Sequence, residues 1–304
     1  DVTSLTGALT HTAGTTSLGG TVTAPSGATL AVATVNADTT LNTTNSAVAF
    51  NSTLDSDALE TNDLTVNTGT AATTISGVIG GTLNGELGTL TINNTSASGM
   101  ALPSTNALAV NVTTNGPVTD FGNLAITDLL AINAGTNNVT LGDAGGETTN
   151  LGSISVVGGN VALTEDSATV FTGINTITGT LNLTSAGSIT DTAGTTLNVA
   201  GATTLNAGTN AITLGDDPAD TTNFGPLLTF TGGAVSLTED STMNVTGNAS
   251  VSLALNAVGV NLAGINAPSL TVNSTGAFAG TVGISDSAPS VIPGISNFNA
   301  NGFD

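Results

Sequence analysis

The 304-residue chain has no lysine, no arginine, no cysteine, no tryptophan and no tyrosine, and only one histidine. Each absence removes a class of function. Nothing can neutralise phosphates, so nucleic acid is excluded as a partner, and anionic membrane surfaces are excluded for the same reason. The 21 Asp and Glu give a formal charge of −21 that no side-chain ion pair offsets. At 7% charged residues this repulsion is mild once salt screens it over about 10 Å. Without cysteine there is no disulfide staple, thiol catalysis or thiolate metal site. No apolar run approaches the roughly 20 residues of a membrane span, so no membrane insertion is expected. The opening "DVTSLTGALT" shows no basic or hydrophobic leader, so an export signal is expected to have been removed or to lie outside this stretch.

What is present is a 39% hydrophobic fraction, almost all small aliphatic with eight Phe, set among Thr, Ser, Asn and Gly. That composition can bury a core and favours strands and turns over helices. Internal repetition then decides the architecture. "NAGTNNVTLGD" at 133–143 returns as "NAGTNAITLGD" at 206–216, nine of eleven positions identical. "GGNVALTEDS" at 158–167 returns as "GGAVSLTEDS" at 232–241, eight of ten, with the offset grown from 73 to 74. A fainter echo pairs "GALTHTAGTT" at 7–16 with "GSITDTAGTT" at 187–196. Within the repeat, Leu197, Val199, Leu205, Ile212 and Leu214 alternate with Thr or Asn, the period of a strand with one buried face. Turn signals every seven or eight residues are too close for immunoglobulin-like sandwiches. Three such strands make a coil of about 22–25 residues, which predicts a parallel β-solenoid. Tandem β-sandwich domains are the alternative.

"LNLTSAGSITDTAGTTLNVAG" and "NAGTNAITLGDDPADTTNFGPLLTFTGGAVSLTEDS" resemble the filler repeats of large secreted proteins related to filamentous haemagglutinin, best over 116–250. The resemblance implies an exported right-handed β-helix, extracellular or at the cell surface, serving as an adhesin shaft or surface fibre. The expected organisation is a single solenoid domain over 1–284 and a Pro-bearing tail over 285–304 that acts as a linker or pairing strand. Unpaired strand edges at the ends of such a coil favour self-association into fibres, with glycans or a host or neighbouring cell surface as further partners.

Catalysis is not expected. Carboxylate groupings such as Glu165 with Asp166 exist, but no aromatic platform or basic residue accompanies them to hold a sugar. The lone imidazole, His11, occupies the repeat position of Asp191, where any polar turn residue serves. Thr arrays of the ice-binding kind would keep one place in every coil, and "TVT" at 21–23 is out of step with "TVN" at 65–67 and 271–273.

The better chemical case is metal binding at the recurring "TLGDAGGETTNLG" (140–152) and "TLGDDPADTTNFG" (213–225). Asp143 with Glu147, and Asp216 and Asp217 with Asp220, gather carboxylates and turn carbonyls of the kind calcium takes. The competing expectation is a structural corner: Gly215 lets the chain leave the strand, Asp216 caps the bend, and Asn223 stacks in an amide ladder before Phe224 re-enters the core. No other cofactor is expected. The functional reading is a non-catalytic segment of an extracellular filament or adhesin shaft. The alternative is a calcium-dependent cell-surface adhesin or a surface-layer or matrix protein.

Overall fold

A computed structural model describes residues 5–275, 284–294 and 296–300. Among these residues there is no helix, and so none long and apolar enough to cross a membrane. Short strands pair in parallel with strands one coil further along the chain, which makes the fold a β-solenoid. The chain divides into two compact units, 1–159 and 160–304.

In the first unit the stretch Ala28–Asn42 shows how a coil is built. Its three segments pair successively with Val48–Phe50, Leu54–Ser56 and Leu64–Gly69 of the next coil. Each coil therefore carries three strand segments joined by corners. Parallel register places like side chains over like. Val22, Leu41, Val66, Ile92, Val112, Ile132 and Val156 form one continuous aliphatic column, and all seven are buried. Outward positions build ladders where Asn recurs: the Asn67 amide donates to Asn42 Oδ1 at 2.8 Å and the Asn93 amide to Asn67 Oδ1 at 2.9 Å.

The second unit follows the same rule. Ile189, Ile212, Val235, Leu253 and Leu270 stack in register, as do Leu163, Leu183, Leu205 and Phe230. Phe230 then meets Gly247. A Cβ at Gly247 would stand 2.8 Å from the ring, and its φ of 151° is one that side chains disfavour, so only glycine admits the phenyl group here. Asn256, Asn273 and Asn299 form a second ladder with bonds of 2.6 and 2.8 Å. Ile284–Ala288 and Ser296–Ala300, which include part of the stretch 285–304 read as a tail, pair in parallel with Gly259–Asn266 and Leu270–Ser274; residues 295 and 301–304 lie outside the described residues.

Coil length is variable. Val245 pairs with Leu262, 17 residues on, and Leu64 with Leu90, 26 residues on. Strands must keep register, whereas corners absorb insertions freely because they face solvent. The segment "TDLLAI" (127–132) lies in the strand Leu124–Asn133, where a bulge between Ile126 and Leu129 breaks the register before Leu130 and Ile132 return to the core.

Candidate functional site

The three-residue strands Val118–Asp120 and Ile189–Asp191 each end on a carboxylate. The next coil lays Val139 on Val118 and Ile212 on Ile189, so each Asp sits beneath the glycine that opens the following turn. Asp120 accepts the Gly142 amide with both oxygens at 3.1 Å. Asp191 Oδ2 accepts the Gly215 amide at 2.9 Å, and its Oδ1 is buried without a hydrogen-bond partner. Gly215 has φ of 72°, the left-handed conformation that lets the strand stop and bend. The bend is thus held from the coil below, where the sequence pointed to Asp216 as its cap.

Two carboxylate triads result. Oxygens of Asp120, Asp143 and Glu147 lie within 4.8 Å of one another in the first unit, and those of Asp191, Asp216 and Asp220 do so in the second. Four of the five predicted site residues are therefore gathered, with Asp120 and Asp191 added. Asp217 stands outside: its Oδ1 accepts the Ala219 amide and its own amide donates to Asp220 Oδ2, which closes the turn. The missing members were within reach of sequence reasoning. With coils of about 22–25 residues, a carboxylate one coil before Asp143 and Asp216 belongs beneath each, and "VTD" and "ITD" supply them at 120 and 191.

Crowding and burial shape the chemistry. Asp120 is pushed up to about 6, first by burial, against the pull of the Gly142 amide and with a further push from Glu147 and Asp143. Asp191 is raised to about 6 by burial, against the Gly215 amide, with Asp220 and Asp216 adding repulsion. Like charges held this close favour sharing a proton. The same oxygen donors suit a hard divalent cation, which takes six to eight oxygens, and turn carbonyls or water would have to complete the set. Several of these carboxylates also do a turn's ordinary work. Glu147 accepts the Ala144 amide, and Asp220 accepts those of Thr195 and Asp217.

Asn223 stands in register on Asn198, as expected of stacked coils, but its side chain bonds locally. Its Oδ1 accepts the Gly225 amide at 2.9 Å, an Asx turn that redirects the chain locally, and Phe224 is fully buried beside it. His11 Nδ1 lies 2.7 Å from Thr16 Oγ1 on its own strand.

A second titratable position repeats as well. Glu165 and Glu239, of the two "LTEDS" copies, are both almost completely buried. Glu165 Oε1 accepts the Ser167 hydroxyl at 2.9 Å and Oε2 the Thr169 hydroxyl at 2.7 Å. Glu239 keeps the Ser241 hydroxyl at 2.7 Å, but its Oε2 has no partner. Burial pushes Glu239 up to about 7, against the Ser241 hydroxyl and the Phe224 amide.

Residues 87–155 and 158–231 each match the family model described as repeats of unknown function (DUF5649), together a little under half of the chain. No curated protein and no solved structure matches it. Each matched stretch holds one triad, with its first Asp 33 residues from the start of the match. The chain is a repetitive β-solenoid protein whose two repeat copies resemble that family and carry the same acidic corner.

Proposed function

We propose that the chain is a load-carrying segment of an extracellular filament or adhesin shaft, of the kind built by filamentous haemagglutinin-like proteins. It is a non-catalytic rod that polymerises or forms part of a longer repetitive chain, presenting its surface to glycans or to a neighbouring cell. The observation that carries this reading is the register: in each unit, coil pairs with coil in parallel through unbroken aliphatic columns and outer Asn ladders. Such stacking is uniform along its axis and extends by adding coils of about 4.8 Å each. The complete lack of Lys and Arg supports an exposed role, because trypsin-like proteases find no site.

Electron microscopy and fibre diffraction test it. Elongated particles that lengthen when the segment is duplicated in tandem, with a reflection near 4.8 Å along the long axis, are the expected outcome. Compact particles that do not lengthen would refute the rod. The calcium-dependent adhesin or surface-layer reading is favoured by one observation, the meeting of three carboxylates in each repeat copy. A melting temperature raised by calcium in the wild type and unmoved in an Asp120→Asn, Asp191→Asn double variant would support it; no calcium response in either would remove it.

A further inference from the structure

Two neighbouring loops of the first unit are longer than their corner requires. Val35 pairs with Ser56 and Thr39 with Leu64, so residues 57–63 span a turn that the preceding coil makes with residues 36–38. Ile79 bridges to Thr105 and Leu87 pairs with Ala107, so residues 80–86 span a turn that the following coil makes with Asn106 alone. The two outgrowths are joined, since the Leu59 amide donates to the Asn84 carbonyl at 3.2 Å and the Ser56 amide to the Gly85 carbonyl at 2.8 Å. They are also braced from within. The buried Asp55 carboxylate accepts the Gly81 amide at 2.8 Å, and the Asn62 side chain donates to the Val35 carbonyl and to Ser56 Oγ.

This braced platform displays apolar side chains. Leu59 is 84% exposed and Leu83 89% exposed. Most large aliphatic residues elsewhere in the unit lie in the columns. Leu59 also has φ of 72°, a conformation unfavourable for a bulky side chain, and burial of its isobutyl group does not compensate. An outgrowth longer than its corner requires, holding a leucine in a strained and solvated position, marks a functional surface.

The charge around it restricts the occupant. Asp57, Glu60 and Asp63 are exposed and Glu86 is half-buried on the same two loops, and the chain holds no Lys or Arg to answer them. A second copy would bring more negative charge and no cation, and an anionic lipid surface would do the same. We propose that the Leu59–Leu83 platform docks a different protein, one that offers an apolar face flanked by lysine or arginine. The leucines supply the desolvated centre and the carboxylates a rim that steers association and rejects acidic partners. This inference does not depend on the rod reading.

The probe is an amphipathic helical peptide of leucine and lysine, with a scrambled peptide of identical composition as control. Binding is followed by fluorescence anisotropy on the full chain at physiological salt. The amphipathic peptide is expected to bind the wild type at least tenfold more tightly than a Leu59→Ser, Leu83→Ser double variant, while the scrambled peptide binds both equally. Leu59→Gly is expected to raise the melting temperature and weaken peptide binding together, because it relieves the backbone and removes the contact. Equal binding of the amphipathic peptide to wild type and double variant would overturn the proposal, as would no binding to either, or a lowered melting temperature in Leu59→Gly. Leucine-dependent dimerisation in sedimentation velocity would overturn it too, by showing that the occupant is a second copy.

Discussion

Glu165 and Glu239 occupy the same place in two copies of one motif, and one side chain separates their chemistry. In the first copy "EDSAT" ends on Thr169, whose hydroxyl reaches Glu165 Oε2. In the second, "EDSTM" puts Met243 there, fully buried and unable to donate. Both positions keep the fold, because both side chains fill an inward site of the strand that follows. Only the first leaves its carboxylate fully hydrogen-bonded. A solenoid core thus tolerates a hydroxyl-to-thioether exchange in packing and leaves one buried Glu239 oxygen without a donor.

The largest effect should come from making the first copy like the second. Thr169→Met strips the Thr169 hydroxyl from the buried Glu165 carboxylate and is expected to cost about 2–3 kcal/mol. Urea melts of Thr169→Met and of the near-isosteric Thr169→Val measure it; a loss confined to Thr169→Met would show that packing, not the hydrogen bond, is responsible.

The second test uses Glu239 itself. Its folded pKa of about 7 exceeds the ordinary 4.5, so the folded state holds a proton the unfolded chain has released. Its contribution is fully present below about 4.5 and is lost as pH rises through about 7, with a difference of about 3 kcal/mol for a shift of this size. Asp120 and Asp191, raised to about 6 from 3.8, act in the same direction over a lower window. The protein is therefore expected to melt higher at pH 5 than at pH 8, the reverse of proteins that depend on salt bridges. Glu239→Gln should flatten the upper part of that profile. Met243→Thr should narrow it through a new hydroxyl partner, even as the smaller side chain loses packing.

The smallest effect concerns the triads. Glu147→Gln removes the stronger of the two carboxylate repulsions on Asp120 and leaves the larger cause, burial, in place. A slight downward shift in the Asp120 titration, followed by carboxyl carbon NMR, is the expected result. A full return to ordinary acidity would mean that repulsion rather than burial governs the site.

Much of this was legible from residue order. The alternation of Leu197, Val199, Leu205, Ile212 and Leu214 requires one buried face, and turn signals at seven-residue spacing require coils rather than long hairpins. The recurring "LGD" corner and four of its carboxylates were visible as well. Asp120 and Asp191 were missed because they lie a coil away from the motif, and only stacking makes them neighbours. The Asn ladders were expected at Asn223, yet they form at Asn42–Asn67–Asn93 and Asn256–Asn273–Asn299. Local Asx geometry captured Asn223 first, since a bond to an amide two residues on needs no partner coil.

Composition and periodicity by themselves determined an all-β, wholly anionic chain and pointed to parallel coils, because those properties depend on which residues alternate and which charges are missing. Which carboxylates complete each triad, which glutamate lacks its hydroxyl, and which two loops join through Leu59 and Asn84 were decided by the tertiary structure. Corner lengths vary from coil to coil, and the number of residues in each corner sets which side chains of adjacent coils come into register.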